Sequence, residues 1–307
     1  MIIASIDIGS NSVLLLLAEI DTNNKILIKS KTYYETPRIS EGANTTGIIN
    51  EYRQKLLFDV LNKYYTIIRS SRTDLVLATA TKAFRIAKNS ELIVKQINEK
   101  FGWDAKIISG DDEAKLTFLG TTYPFNKLDE IQGVIDIGGG STEIVYGNSL
   151  NIIFKESFDI GVVTTTEKFF KSSPPSEVQI ENAINHIDSI YSKIHVTNTE
   201  SSIFHAVAGT PTSLACINLG IREFNEAMID NFMLQLKDII KIKNELMTKD
   251  AQTILSDYGE VVSGREDVLL AGTLILERFM MKMGIQEIKV SVRGLRFGVL
   301  YKYLNWV

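Results

Sequence analysis

The chain of 307 residues has one cysteine, Cys216. No disulfide can form within it, which fits a reducing compartment. Long apolar runs are missing too. Stretches such as Val13–Ala18 are far too short to span a bilayer. The opening MIIASIDIGS passes directly to Asp7, without the basic start and cleavage site of a secretory signal. A cytoplasmic location without a membrane partner is expected. Basic residues are not in excess: 33 Lys and Arg against 37 Asp and Glu give a net charge of −4. That argues against a general nucleic-acid coat but leaves a locally basic cleft for a small polyanion. The three histidines, His186, His195 and His205, lack metal-ligand spacing and are expected on the surface or in packing roles. Cys216 is expected in the core, and Trp103 and Trp306 as packing anchors, Trp306 also as a candidate interface residue.

What is present is a repeat. Residues 5–16 read SIDIGSNSVLLL and residues 134–145 read VIDIGGGSTEIV. Each copy of Ile-Asp-Ile-Gly opens one half of a chain whose length predicts two domains. Alternation and turn residues predict strands at 2–7, 12–20 and 25–35, a helix over 51–69, and a strand in DLVLATA. A helix over 90–101 with Ser90 as its cap, a strand in AKIIS and a helix over 110–122 follow. The second half opens in the same way, with strands in GVIDIG, STEIVYG and LNIIFKES. Ser173-Pro174-Pro175-Ser176 interrupts it before an apolar helical face from Ile180 to Ile194. SIFHAVAG is a further strand. Helices over 210–220, 229–247 and 265–283, a strand at 286–291 and a terminal helix from about 294 complete the expectation.

The repeated turn has a chemical use. Glycines let backbone N–H groups approach an anion, and successive N–H groups form a nest. The hydroxyls of Ser10, Ser12, Ser141 and Thr142 add donors, and Asp7 and Asp136 stand where a carboxylate can hold Mg²⁺ directly or through water. Alone, either copy reads as a strand end with an Asx turn. Two copies in the same architectural position favour phosphate binding, with the two turns facing each other across one cleft between the domains.

These stretches resemble the two phosphate motifs of the actin, hexokinase and heat-shock ATPase superfamily. More narrowly, the whole chain resembles the exopolyphosphatase and guanosine pentaphosphate phosphatase family, in its short two-domain form. Thr81–Asn89, TKAFRIAKN, is similar to the family's T-x-A-x-R-x-A-x-N. ISGDDEAKLTFLG, AVAGTPTSLA, SGREDVLLAG and SVRGLRFGVL are similar to four further segments, with Ala208 in place of a family glycine.

The resemblance implies an α/β fold of two actin-like, ribonuclease H-like domains around an interdomain cleft. The first domain is expected over 1–123, with the helix at 293–307 returning to it, and the second over 124–292. It implies that Glu113 orients and deprotonates the attacking water. Asp7, Asp136 and Glu143 are the implied metal carboxylates, for Mg²⁺ or Mn²⁺. Gly9, Ser10, Asn11, Ser12, Arg85, Gly138, Gly139, Gly140, Ser141, Gly209 and Thr210 are the implied phosphate-binding residues. From position alone, Asp111, Asp112 and Glu113 are also the acids that a first helical turn favours. Lys82, Arg85 and Lys88 follow a strand end at helical spacing, as a phosphate rim would.

The sequence departs from the family pattern at Asp112, Thr164, Val292 and Phe297, where glutamate, arginine, aspartate and glutamate are usual. The expected activity is metal-assisted release of terminal phosphate from inorganic polyphosphate, with guanosine pentaphosphate as a close second substrate. The alternatives are a non-catalytic nucleotide- or alarmone-binding regulator and, third, an ATP-dependent kinase. A homodimer is an assembly to be tested.

Overall fold

The computed structural model describes every residue except 124–129, 149, 197, 198, 200, 201, 306 and 307, so Trp306 lies outside the described residues. The elements run β1 (Ile2–Ile8), β2 (Val13–Asp21), β3 (Ile26–Glu35), α1 (Ala43–Thr46), α2 (Glu51–Ser70), β4 (Leu75–Ala80), α3 (Lys82–Ile86), α4 (Ser90–Phe101), β5 (Lys106–Ile107) and α5 (Gly110–Thr122). The second half runs β6 (Gln132–Ile137), β7 (Thr142–Gly147), β8 (Ile152–Phe158), α6 (Val162–Phe169), α7 (Glu177–Tyr191), β9 (Ile203–Val207), α8 (Gly209–Leu219), α9 (Glu226–Ile229), β10 (Met233–Gln235), α10 (Leu236–Leu246), α11 (Ala251–Tyr258), α12 (Leu269–Met283), β11 (Glu287–Val290) and α13 (Leu295–Tyr303). The chain divides into two compact units, residues 1–120 with 293–307, and residues 121–292. Among the described residues no helix is long and apolar enough to cross a membrane.

The first unit is built on a five-stranded sheet ordered β3-β2-β1-β4-β5. β1 and β2 form an antiparallel hairpin, and β4 joins β1 in parallel. Helix α2 starts at Asn50, whose side chain accepts from the Arg53 N–H. It turns Leu57, Leu61, Tyr64 and Ile68 into the core at helical spacing. Each such fully buried aliphatic side chain contributes about 1.5–3 kcal/mol relative to exposure. The Tyr64 hydroxyl donates to the Val13 carbonyl at 2.8 Å and so fixes α2 on β2. Trp103 is buried and stacks on Phe101 with centroids 4.6 Å apart, as its anchor role requires. α13 packs on α5 through two glycines. A Cβ on Gly298 would overlap the Leu116 carbonyl, and one on Gly120 would overlap the Gly294 carbonyl.

The second unit repeats the order as β8-β7-β6-β9-β11, with β10 added as an outer antiparallel strand. Hairpin β6–β7 matches hairpin β1–β2, and β9 lies parallel to β6 as β4 does to β1. These are two actin-like domains, each with a three-stranded meander beside parallel strands. Cys216 lies in the second core, as expected.

Four expected elements differ. The helix over 229–247 is broken: Asn231 has a φ of 69°, its N–H donates to the Val290 carbonyl, and β10 pairs with β11 before α10 begins. Strand pairing with a distant segment overrides the local apolar spacing there. Ser90 is the first residue of α4 and not its cap. Asn89 holds the cap position, and its amide exchanges two hydrogen bonds with the Ile49 backbone. The helix expected from 265 begins at Leu269, and the AKIIS strand is only Lys106–Ile107.

Candidate active site

The duplicated sequence makes a duplicated turn. The Gly9 N–H donates to the Ser12 carbonyl at 3.0 Å, and the Gly138 N–H donates to the Ser141 carbonyl at 2.9 Å. In both copies the Cβ of a non-glycine residue would press on that carbonyl at 3.0 Å, which accounts for the repeated glycine. Among the described residues, the N–H groups of Ser10, Asn11, Gly139 and Gly140 donate to nothing. Ser10 and Asn11 are also buried, and the Ser10 Oγ and Asn11 Oδ1 lack hydrogen-bond partners. Buried polar groups without partners are rare in folded proteins, and adjacent free N–H groups are what an anion nest offers. Carbonyls of the second turn are already engaged. Val162 N–H donates to Gly138, and Val163 N–H to Gly139, both at 2.9 Å. Gly161 must be glycine, because a Cβ there would strike the Gly139 backbone.

A segment with no predicted role supports the first turn. After β3 the chain doubles back so that Arg38 N–H donates to the Asn11 carbonyl and Ser40 N–H to the Ser10 carbonyl. Arg38 has a φ of 52°. The Ser40 hydroxyl is buried without a partner beside those of the turn. The signal in the sequence was Gly42 beside short polar residues, which reads only as a loop.

Glu113 and Arg85 meet in the same unit. Arg85 Nη1 donates to Glu113 Oε2 at 2.6 Å and to the Ile108 carbonyl at 3.1 Å. Glu113 is 8% exposed, whereas Asp111 and Asp112 before it are exposed. Burial pushes the Glu113 carboxyl above the usual carboxylate value; Arg85, Lys82 and a hydrogen bond from Thr81 oppose that rise. Asp112 has a structural task. It accepts from the Ser109 hydroxyl at 2.8 Å while its N–H donates back to that hydroxyl at 3.1 Å, a cap on α5. Lys88 does not join Arg85: its backbone N–H donates to Gly47, and its side chain lies over that glycine.

In the second unit Asp136 and Glu143 are directly opposed across hairpin β6–β7, where the first unit has Asp7 opposite Leu14. Glu143 is 2% exposed and accepts from the Ser157 hydroxyl at 2.6 Å. Like charges in register repel, and a cation between them relieves this. Among the described residues no cluster of three metal-ligating side chains occurs. Two carboxylates suit Mg²⁺ or Mn²⁺, which complete their shells with water and phosphate oxygens.

Gly209 and Thr210 open α8. Thr210 is buried with its hydroxyl against Gly272, and the Gly209 carbonyl accepts from Arg265 Nη1 at 3.0 Å. Arg265 lies in the SGREDVLLAG segment, where its residue type alone points to no role. It fills the space that a side chain at 209 would take.

The departures at Thr164 and Phe297 have local explanations, and nothing in the structure explains the one at Val292. Thr164 caps α6, exchanging hydrogen bonds with the Gly161 backbone at 2.9 and 3.1 Å. Phe297 is buried beside Tyr301 in α13, where a carboxylate would lack water. Val292 N–H donates to Asp230 Oδ1 at 3.2 Å. Of the histidines, His205 is buried on β9 with Nε2 donating to Gln132 Oε1 at 2.9 Å; His186 packs on Phe169, and His195 is exposed.

Residues 19–306 match the Ppx/GppA phosphatase family. The chain belongs to that family. A bifunctional 3-dehydroquinate synthase/phosphatase of Fusobacterium nucleatum is 31% identical over 94% of the chain, which spans 44% of that protein. Exopolyphosphatase 2 of Mycobacterium tuberculosis is 25% identical and is covered over 97% of both chains. The crystal structure of the Aquifex aeolicus member of the Ppx/GppA family matches with a TM-score of 0.82 and 28% identity, over 100% of this chain and 98% of that one.

Proposed function

We propose that this member of the Ppx/GppA family hydrolyses terminal phosphoanhydride bonds, acting on inorganic polyphosphate and, as a second substrate, on the 5′-γ-phosphate of guanosine pentaphosphate. The observation that carries the proposal is the buried Glu113 carboxylate held by Arg85, in the unit whose β1–β2 turn has uncommitted N–H groups. A base and an anion nest are two of the parts that phosphoryl transfer to water needs.

In the proposed reaction Glu113 orients a water molecule and accepts one of its protons. The water oxygen bonds to the terminal phosphorus. The bridging P–O bond breaks, and its electron pair leaves on the shortened chain. Turn N–H groups and Arg85 hold the non-bridging oxygens as negative charge redistributes over them. Asp136 and Glu143 are the residues that fit a divalent cation, and Asp7 is the corresponding carboxylate of the first unit. A divalent cation held there would supply the positive charge that phosphoryl transfer uses. The buried thiol of Cys216 agrees with a cytoplasmic protein.

The test is orthophosphate release from polyphosphate and from guanosine pentaphosphate, beside ADP formation from ATP with candidate acceptors. Release that stops in excess chelator and returns with Mg²⁺ supports the proposal. Tight binding of either polyanion without release assigns the chain to a regulatory role instead, and ADP formation assigns it to a kinase.

A further inference from the structure

Two features around Glu113 go beyond a base beside a phosphate-binding arginine. The first is the division of the Arg85 guanidinium. Nη1 alone serves both the Glu113 carboxylate and the Ile108 carbonyl, while Nη2 and Nε have no partner among the described residues. The side chain keeps 19% of its surface exposed. A planar fork can therefore hold the base with one nitrogen and an anion with the others, which a lysine ammonium cannot do in fixed geometry.

The second feature is Thr81. It stands between β4 and α3 and is 3% exposed. Its backbone N–H donates to the Ile8 carbonyl at 3.2 Å, and Ile8 immediately precedes the Gly9 turn. Its carbonyl accepts from the Arg85 N–H at 3.2 Å, and its side chain is among the groups that oppose the rise of the Glu113 carboxyl. One residue thus ties the end of β1 to the helical turn whose Arg85 holds the base.

We propose that Thr81 and Arg85 form a bracket that sets the position of the Glu113 carboxylate relative to the first phosphate turn, Thr81 through its tie to Ile8 and Arg85 by dividing its guanidinium between the carboxylate and the terminal phosphate. Thr81 is a positioning residue, and Arg85 acts both on the substrate and on the base. The proposal rests on the phosphohydrolase function above. Its logic is geometric: an attacking water must sit between carboxylate and phosphorus, and misplacement by about 1 Å costs roughly 10²-fold in rate. The bracket also opposes the rise that burial imposes on the Glu113 carboxyl. The cations acting on Glu113 are Arg85 and Lys82, both from α3, while Asp111 and Asp112 of its own helix are exposed.

The test uses the full chain and three variants: Thr81→Val, Thr81→Ser and Arg85→Lys. Steady-state phosphate release from polyphosphate is measured across pH. The Glu113 carboxyl is also titrated in the substrate-free protein by carbon-13 NMR with labelled glutamate, assigned by its loss in Glu113→Gln. Thr81→Val should lower kcat by roughly 10–10²-fold with KM changed only a few-fold, and Thr81→Ser should restore it. Its Glu113 titration and the acid limb of its kcat profile should both move to higher pH. Arg85→Lys keeps the charge, so its loss should also fall mainly on kcat. Wild-type kcat and an unmoved Glu113 titration in Thr81→Val would overturn the Thr81 half of the bracket. Wild-type kcat with a raised KM in Arg85→Lys would leave Arg85 a phosphate ligand only. A wild-type protein that releases no phosphate defeats the hydrolase proposal, and the titration of Thr81→Val against Thr81→Ser then decides the bracket by itself.

Discussion

Gly298 of α13 lies against the Leu116 carbonyl of α5, with no room for a Cβ between them. The contact joins the last helix of the chain to the helix that carries Glu113 at its N-terminal end. Backbone cannot rotate away as a flexible side chain can, so Gly298→Ala must push the two helices apart. The expected loss is near the upper end of the overpacking range, about 3 kcal/mol. A urea unfolding curve reads it as a lower midpoint. Because α5 moves with the contact, kcat should fall as well. An unchanged midpoint would mean that α13 is held elsewhere.

The adjacent acids Asp112 and Glu113 have separate tasks. Glu113→Gln keeps the size, removes the charge and should cost kcat roughly 10²–10⁴-fold. The wild-type kcat profile should rise with pH through a limb above the ordinary glutamate value, since burial raises Glu113 and the base must be ionised to act. Asp112→Asn keeps an acceptor for the Ser109 hydroxyl and loses only the charge in the first turn of α5, so it should cost a few tenths to about 1 kcal/mol of stability with turnover nearly intact. A large kcat loss in Asp112→Asn with little in Glu113→Gln would exchange their roles.

The repeated turn was legible in the sequence because glycine and aspartate at a strand end have few structural uses, and two copies in one register have fewer. Most helices were legible from apolar spacing. Two kinds of feature were not. β10 exists because Asn231 and Phe232 exchange hydrogen bonds with Val290, a partner far along the chain, and no local pattern encodes that pairing. The support of the β1–β2 turn by Arg38 and Ser40 is likewise a meeting of two loops. Residue type alone also left Asp112 and Glu113 alike; only burial and partners separate them.

His205 gives the second unit a predictable acid sensitivity. Burial pushes its pKa down to about 4, with Lys289 on the neighbouring strand adding to the shift. The unfolded chain binds that proton at about 6.5, so between those values the unfolded state carries more protons and stability falls as pH falls. The contribution is complete above about pH 6.5, about 2 kcal/mol is lost by pH 5, and about 3 kcal/mol is gone below pH 4. Urea unfolding at pH 7 and pH 5 reads the difference. His205→Asn removes the titrating group and should flatten it. An equal fall in wild type and variant would assign the acid sensitivity to other groups.

Ala208 carries a strain that its sequence position explains. Its φ of 77° and ψ of −167° lie in a region that is essentially restricted to glycine. The residue joins β9 to α8, and Gly209 and Thr210 follow it directly. Glycine is the residue the family pattern leads one to expect there. Ala208→Gly should therefore relieve strain worth about 1–3 kcal/mol, less the 0.5–1 kcal/mol or so by which glycine's freedom favours the unfolded chain. A net gain of about 1 kcal/mol is expected as a higher urea midpoint. The reverse control is Gly220→Ala, at a φ of 68° with no atom near its absent Cβ. It meets only the ordinary left-handed cost of about 1–2 kcal/mol and should lower the midpoint. If Ala208→Gly lowers stability instead, the loop does not hold the glycine-only conformation. If it raises stability and lowers kcat together, the strain at 208 is part of how the α8 end is held ready for substrate.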